Sequence, residues 1–113
     1  MTSVEQLPQA VVVHVLSDEL GKIEVDQVCK GVDQARLTAP TLPFILDMAH
    51  VRFVPSVGMG VLVGLNSEFR GRGQRLIFAA MQDDVRRSFT ITRVHQILEI
   101  VDDLPAALRS LSA

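Results

Sequence analysis

Arg52-Phe53-Val54-Pro55-Ser56-Val57-Gly58-Met59-Gly60 stands in the middle of the chain, and its reading decides how the rest is organised. Just before it, Phe44-Ile45-Leu46-Asp47 is a short apolar run closed by an acid. After it, Leu62, Leu65 and Phe69 recur at helical spacing. A strand therefore gives way to a turn, and a helix opens on a serine followed by glycines. Pro55 biases Val54 toward extended backbone and keeps that helix from starting earlier. Ser56 is expected to cap it by accepting from the amide of Gly58 or Met59, a contribution of about 1 kcal/mol. The glycines ask for a different reason, since each costs up to about 1 kcal/mol relative to alanine in a helix interior. Gly58 falls on the core stripe, where close packing accounts for it. Gly60 and Gly64 face away from that stripe. Met59 and Val63, four apart, form a second apolar stripe that suits either a core or a partner surface.

Outward from this stretch, the chain alternates strand-like and helix-like segments. Ser3 to Gln6 reads as a short edge strand, Leu7-Pro8 as a turn, and Ala10 to Leu16 as a buried strand rich in valine. From Glu24, the positions Val25, Val28, Cys29, Val32, Ala35 and Leu37 approximate a helical stripe that stops before Pro40 and Pro43. Gly71 and Gly73 supply a stop for the central helix. Gln74 to Ala80 is expected to be a strand, and Gln82 to Thr90 a short helix with Val85 and Phe89 inward. Gln96 to Val101 is the last strand. Asp103 should cap a final helix with Pro105 in its first turn and Ala107, Leu108 and Leu111 packed. The pattern is α/β, a mixed sheet with a parallel core and packed helices, with residues 1–113 forming one domain. In such sheets functional groups sit beyond the carboxyl ends of the strands, and Asp47 and Ser56 both fall there.

Bulk properties narrow the function. At 113 residues, 48% apolar and 21% charged, the chain has the make-up of one soluble domain. A net charge of −2, with five Phe and no Trp or Tyr, gives neither the electrostatic footprint nor the stacking platforms for direct nucleic-acid binding. No run approaches the roughly 18 apolar residues of a membrane span, and the start lacks signal-peptide features. One cysteine, Cys29, excludes an internal disulfide framework and fits a reducing, cytoplasmic setting.

Catalytic readings fare poorly. His14, His50 and His95 have no metal-ligand spacing, so no metal is expected. Ser56, His95 and Asp47 could be drawn as a hydrolase triad, but Val54 stands where a nucleophile elbow needs glycine. The glycines of Gly58-Met59-Gly60 and Gly64 have the wrong spacing and the wrong place for a dinucleotide turn. Nothing asks for a cofactor, and an enzyme is not expected.

The stretch Asp47-Met48-Ala49-His50-Val51-Arg52-Phe53-Val54-Pro55-Ser56-Val57-Gly58-Met59-Gly60 resembles the signature of STAS domains, the sulfate-transporter and anti-sigma-antagonist fold. That pattern runs strand, aspartate, turn, apolar pair, then Asp-Ser-(Ser or Thr)-Gly-Leu-Gly opening a helix. The similarity continues through the later strands to Ile97-Leu98-Glu99-Ile100-Val101, and the stand-alone length resembles anti-sigma factor antagonists. The resemblance implies that Ser56 is a phosphoacceptor and that the partner is an anti-sigma factor, a serine kinase of the histidine-kinase-like ATPase type. It implies a partner surface of Asp47, Pro55, Ser56, Val57, Gly58, Met59, Gly60 and Val63. Two positions depart from the pattern: Pro55 replaces an aspartate and Val57 a small hydroxyl residue. A constitutive interaction module, such as a signalling scaffold or transporter accessory subunit, and a small-molecule or nucleotide binder are the alternatives.

Overall fold

A computed structural model describes residues 2–111; residues 1, 112 and 113 of the expected domain lie outside the described residues. Strand β1 (Thr2–Gln6) turns through Leu7, whose amide donates to the Ala10 carbonyl at 2.8 Å, into β2 (Val11–Val15). Helix α1 (Lys22–Thr38) crosses to β3 (Phe44–Asp47), and α2 (Ser56–Gly71) crosses to β4 (Leu76–Ala79). Helix α3 (Asp83–Ile91) and a 3-10 turn at Val94–Gln96 lead to β5 (Glu99–Val101), and α4 (Leu104–Ser110) closes the described chain. The strands lie in the order β1-β2-β3-β4-β5, with β1 antiparallel at one edge and the other four parallel.

Strand alternation divides the core in two. Val11, Val13, Val15, Phe44, Leu46 and Phe78 point to one face, where they meet α1, α2 and α3. Val12, Ile45, Ile77 and Ala79 point to the other, where Ala107 of α4 seals a smaller cluster. Both faces are covered, which is why the parallel strands read as nearly continuous apolar runs. Leu62, Leu65 and Phe69, which helical spacing aligns on one stripe, are buried, as are Leu46, Ile77 and Phe78 of the central strands. Asp103 caps α4 as expected, its Oδ1 accepting from the Ala106 amide at 2.8 Å.

One core assignment changes. Leu37 is 83% exposed, and Arg36 takes the inward position at the end of α1. Arg36 lies four residues after Val32, in register with Val25 and Val28, whereas Leu37 is rotated about a further 100° away. The Arg36 guanidinium lies 4.0 Å over the Phe69 ring, and its Nε donates to Gln74 Oε1 at 3.0 Å. Gln74 passes the link on by donating to the Leu42 carbonyl at 2.8 Å. A cation with an aromatic face and a hydrogen-bonded partner can be buried where a bare charge could not. Gly73, at φ +67°, supplies the left-handed residue after α2.

Candidate functional site

The start of α2 is built on a double anchor. The loop after β2 pairs with the loop after β3: Arg52 N donates to the Asp18 carbonyl at 2.6 Å, and Leu20 N to the Phe53 carbonyl at 3.0 Å. Glu19 and Phe53 form an isolated parallel bridge there. Pro55 follows in extended conformation, and its carbonyl accepts the first helical bond from Met59 N at 3.0 Å. Gly58 then presses on Leu20. A Cβ there would lie 1.9 Å from the Leu20 carbonyl oxygen, so only glycine fits.

This geometry corrects two expectations. Pro55, not Ser56, is the residue that caps α2, and no side chain caps its first turn. Ser56 is already the first helical residue, because Pro55 holds the extended conformation that a cap requires and its ring leaves no amide to satisfy. The Ser56 hydroxyl is exposed at the helix end rather than engaged in its own backbone. Gly58 and Met59 also leave the expected partner surface, because both are buried. Met59 turns toward α3, where its sulfur contacts the Thr92 hydroxyl at 3.3 Å.

Of the remaining expected residues, Ser56, Val57 and Gly60 are exposed at the helix start, Pro55 is half-buried beside them, and Val63 is half-buried one turn beyond Met59. A Cβ on Gly60 would meet nothing within 4 Å. The sequence reading missed one neighbour of this patch. Phe53, three residues before Ser56 on the loop that leads into α2, is 57% exposed, and Val57 is 47% exposed. The signal for Phe53 was its place between Arg52 and Val54, outside any strand, where nothing in the pattern calls for a buried aromatic. The helix end therefore carries a hydroxyl, uncapped amides and an apolar rim.

Asp47 is not part of this patch. It shares the strand parity of Ile45, whose side chain packs on the α4 face of the sheet, opposite α2. Its Oδ2 lies 2.7 Å from His14 Nδ1, and its Oδ1 accepts from Ala49 N at 3.1 Å. His14 Nε2 lies 3.1 Å from Glu5 Oε1 on β1. Burial acts most strongly on the His14 imidazole and lowers its pKa. The hydrogen bonds and charges of Asp47 and Glu5 together outweigh that and raise it above the ordinary imidazole value.

A separate cleft of about 280 Å³ runs between α1 and α2, lined by Cys29, Asp33, Val61, Gly64, Leu65 and Glu68. Burial first, then the neighbouring acids Asp33, Asp26 and Glu68, push the Cys29 thiol up, away from nucleophilic or ligand chemistry. Neither Asp47 nor Ser56 lines this cleft. Among the described residues no group of three or more His, Cys, Asp or Glu is arranged to hold a metal. No helix among them is long and apolar enough to cross a membrane.

Comparison with known proteins agrees with this architecture. A family model described as "STAS domain" matches residues 2–107. The anti-sigma-B factor antagonist of Listeria monocytogenes is 34% identical over 55 residues, which cover 49% of this chain and 48% of that protein. The chain thus spans about half the length of the curated relatives it matches. An anti-sigma factor antagonist from Mycobacterium paratuberculosis superposes with a TM-score of 0.82 at 23% identity, over 100% of this chain and 94% of that one. The Bacillus cell fate determinant SpoIIAA in its phosphorylated form gives 0.69 at 19% identity, over 97% and 99%. These structural likenesses speak to the fold.

Proposed function

This chain belongs to the STAS domain family, and from that premise we propose that it is a non-enzymatic anti-sigma factor antagonist. In this reading it works in the cytoplasm, binds a kinase-type anti-sigma factor through the start of α2, and is switched there by phosphorylation of Ser56. The observation that carries the reading is the placement of Ser56, exposed at the first position of a 16-residue helix with no cap hydrogen bond of its own. A serine free of structural duty is open to a kinase.

The chemistry of the switch follows from that position. Phosphate adds close to two negative charges and three acceptor oxygens. The helix dipole and the unpaired amides of the first turn stabilise it, so the folded domain tolerates the modification. A partner seated on Phe53 and Val57 must instead desolvate the phosphate, and an unpaired buried charge costs several kcal/mol. A cost of only about 2.8 kcal/mol weakens binding about a hundredfold. Phosphorylation therefore separates the complex without unfolding the domain. The similarity to antagonists in Listeria and Mycobacterium and to a phosphorylated form of SpoIIAA supports the assignment.

Pro55 favours one second reading, a constitutive interaction module. It replaces the aspartate of the resembled pattern and removes a carboxylate and a backbone donor beside the acceptor. One experiment separates the two. The purified chain is incubated with ATP and the anti-sigma serine kinases of its own genome, Ser56 is examined by mass spectrometry, and Ser56→Asp and Ser56→Ala are titrated against each kinase. The switch predicts phosphate on Ser56, near-unchanged affinity for Ser56→Ala and about a hundredfold loss for Ser56→Asp. Tight binding by all forms with no phosphate on Ser56 replaces the switch with the constitutive module. No binding by any form removes the partner assignment.

A further inference from the structure

The imidazole of His14 has a carboxylate oxygen at hydrogen-bond distance from each of its nitrogens, Asp47 at Nδ1 and Glu5 at Nε2. A neutral imidazole has one N–H and one lone pair, so it can donate to only one of them. Its lone pair would then face a carboxylate, two acceptors with no proton between them. Only the imidazolium satisfies both contacts. We propose that His14 is a pH-sensitive latch on the edge strand: protonated, it joins Glu5 of β1 to Asp47 of β3 across β2, and on losing its proton it releases Glu5 and loosens β1.

The proton that leaves is the one on Nε2, and it passes to solvent. Asp47 is the better-held partner. Its contact is 2.7 Å against 3.1 Å, its side chain is 15% exposed against 56% for Glu5, and the Ala49 amide fixes its other oxygen. The surviving N–H therefore stays on Nδ1, and Glu5 rotates into water. The charged groups acting on the imidazole are Asp47 from β3 and Glu5 from β1. Helix α1 covers the opposite face of β2, where Val13 and Val15 point.

Loosening β1 matters because of what it covers. It pairs along its whole length with β2, from Thr2↔Val15 to Gln6↔Val11. Its own side chains are mostly exposed, whereas Val11, Val12, Val13 and Val15 of β2 are fully buried. A strand with so little burial depends on its ladder and on contacts such as Glu5–His14. Each opening of β1 leaves the apolar β2 as a sheet edge able to pair with a further chain. Deprotonation of His14 thus makes such openings of the protecting strand more frequent, whatever the role of Ser56.

The sign is fixed by the raised folded-state pKa. The latch is complete below the ordinary imidazole value and is lost as pH rises through the raised one. The test is NMR on the full chain from pH 5.5 to 8.5, reading the His14 ring nitrogens and amide-exchange protection factors corrected for intrinsic rate. Both ring nitrogens should carry protons at the acid end, and the Nδ1–H tautomer should remain at the alkaline end. Protection along β1 and β2 should fall about threefold to tenfold across the titration, the span of one net hydrogen-bond contribution, while α2 holds steady. Glu5→Gln, an exposed substitution, should lower the His14 pKa and flatten the pH dependence of β1. An imidazole already neutral at pH 5.5, protection in β1 that ignores pH, or an unchanged pH dependence in Glu5→Gln would each overturn the latch.

Discussion

Helix α2 has two faces with opposite rules. Inward, Gly58, Met59, Leu62, Leu65 and Phe69 are buried against the sheet and its neighbours. Outward, Ser56, Val57, Gly60 and Gly64 are exposed, and a Cβ on either Gly60 or Gly64 would meet nothing within 4 Å. The same residue type, glycine, appears on both faces for different reasons. Gly58 is required by the backbone of Leu20, while nothing among the described residues requires Gly60 or Gly64. The inner face specifies the fold; the outer face is open.

The largest effect that sharpens this contrast belongs to Leu62, which is fully buried. Leu62→Ala should destabilise the chain by about 2–5 kcal/mol in urea unfolding, through lost transfer energy and the cavity left behind. A change under about 0.5 kcal/mol, the range of surface substitutions, would break the inner–outer division outright.

Gly58→Ala comes next. Its methyl group cannot be accommodated by a side-chain rotation, because the obstacle is the Leu20 carbonyl. The helix start or the 18–21 loop must shift, at a cost of about 1–3 kcal/mol, as for overpacked sites. Thermal unfolding reads the loss, and amide exchange should place the disturbance at Leu20, Phe53 and the first turn of α2. A stable variant would mean that the two loops are not held together through this contact.

The fold was legible because the strands announce themselves. Val11 to Val15 (broken only by His14), Phe44 to Leu46 and Leu76 to Ala79 are nearly continuous apolar runs, which a parallel sheet covered on both faces demands. Arg36 was not legible, since only the third dimension shows Phe69 beneath its guanidinium and Gln74 beside it. The site was half-legible. Ser56 and its glycines stood out by their cost to a helix, but the two buried members, Gly58 and Met59, could not be told from exposed ones by spacing alone. Asp47 looked like part of the site because it precedes it in sequence. Strand parity instead turns its side chain to the opposite face, where His14 and Glu5, distant in sequence, complete its contacts.

Gly60→Ala and Gly64→Ala invert the sign seen at Gly58. Each should stabilise the helix, by up to about 1 kcal/mol, because alanine is the better helix former and the added methyl group has open space. The two should then part company in binding. Gly60 lies one turn from Ser56, so its methyl group would intrude on the partner proposed to sit at the helix start. Gly64, a further turn away in the α1–α2 cleft, would not. A titration in which Gly60→Ala weakens the proposed kinase complex and Gly64→Ala leaves it unchanged would bound the surface. Equal loss from both would extend it along the helix to the cleft.

The smallest effect carries the most functional weight. If Ser56 capped α2, Ser56→Ala would cost about 1 kcal/mol, the usual value for a lost cap. The structure gives that role to the backbone of Pro55, whose carbonyl accepts from Met59 N, and leaves the serine hydroxyl outside. Alanine is also the better helix former at a helical position. Ser56→Ala should therefore change stability by less than about 0.5 kcal/mol, and in either direction. Paired urea curves on wild type and variant decide it. A loss near 1 kcal/mol would return Ser56 to a structural role and weaken the argument that it is held free for a kinase. A negligible change, with Gly58→Ala measured alongside as strongly destabilising, would show two residues a half-turn apart on one helix, one held by the fold and the other left to a partner.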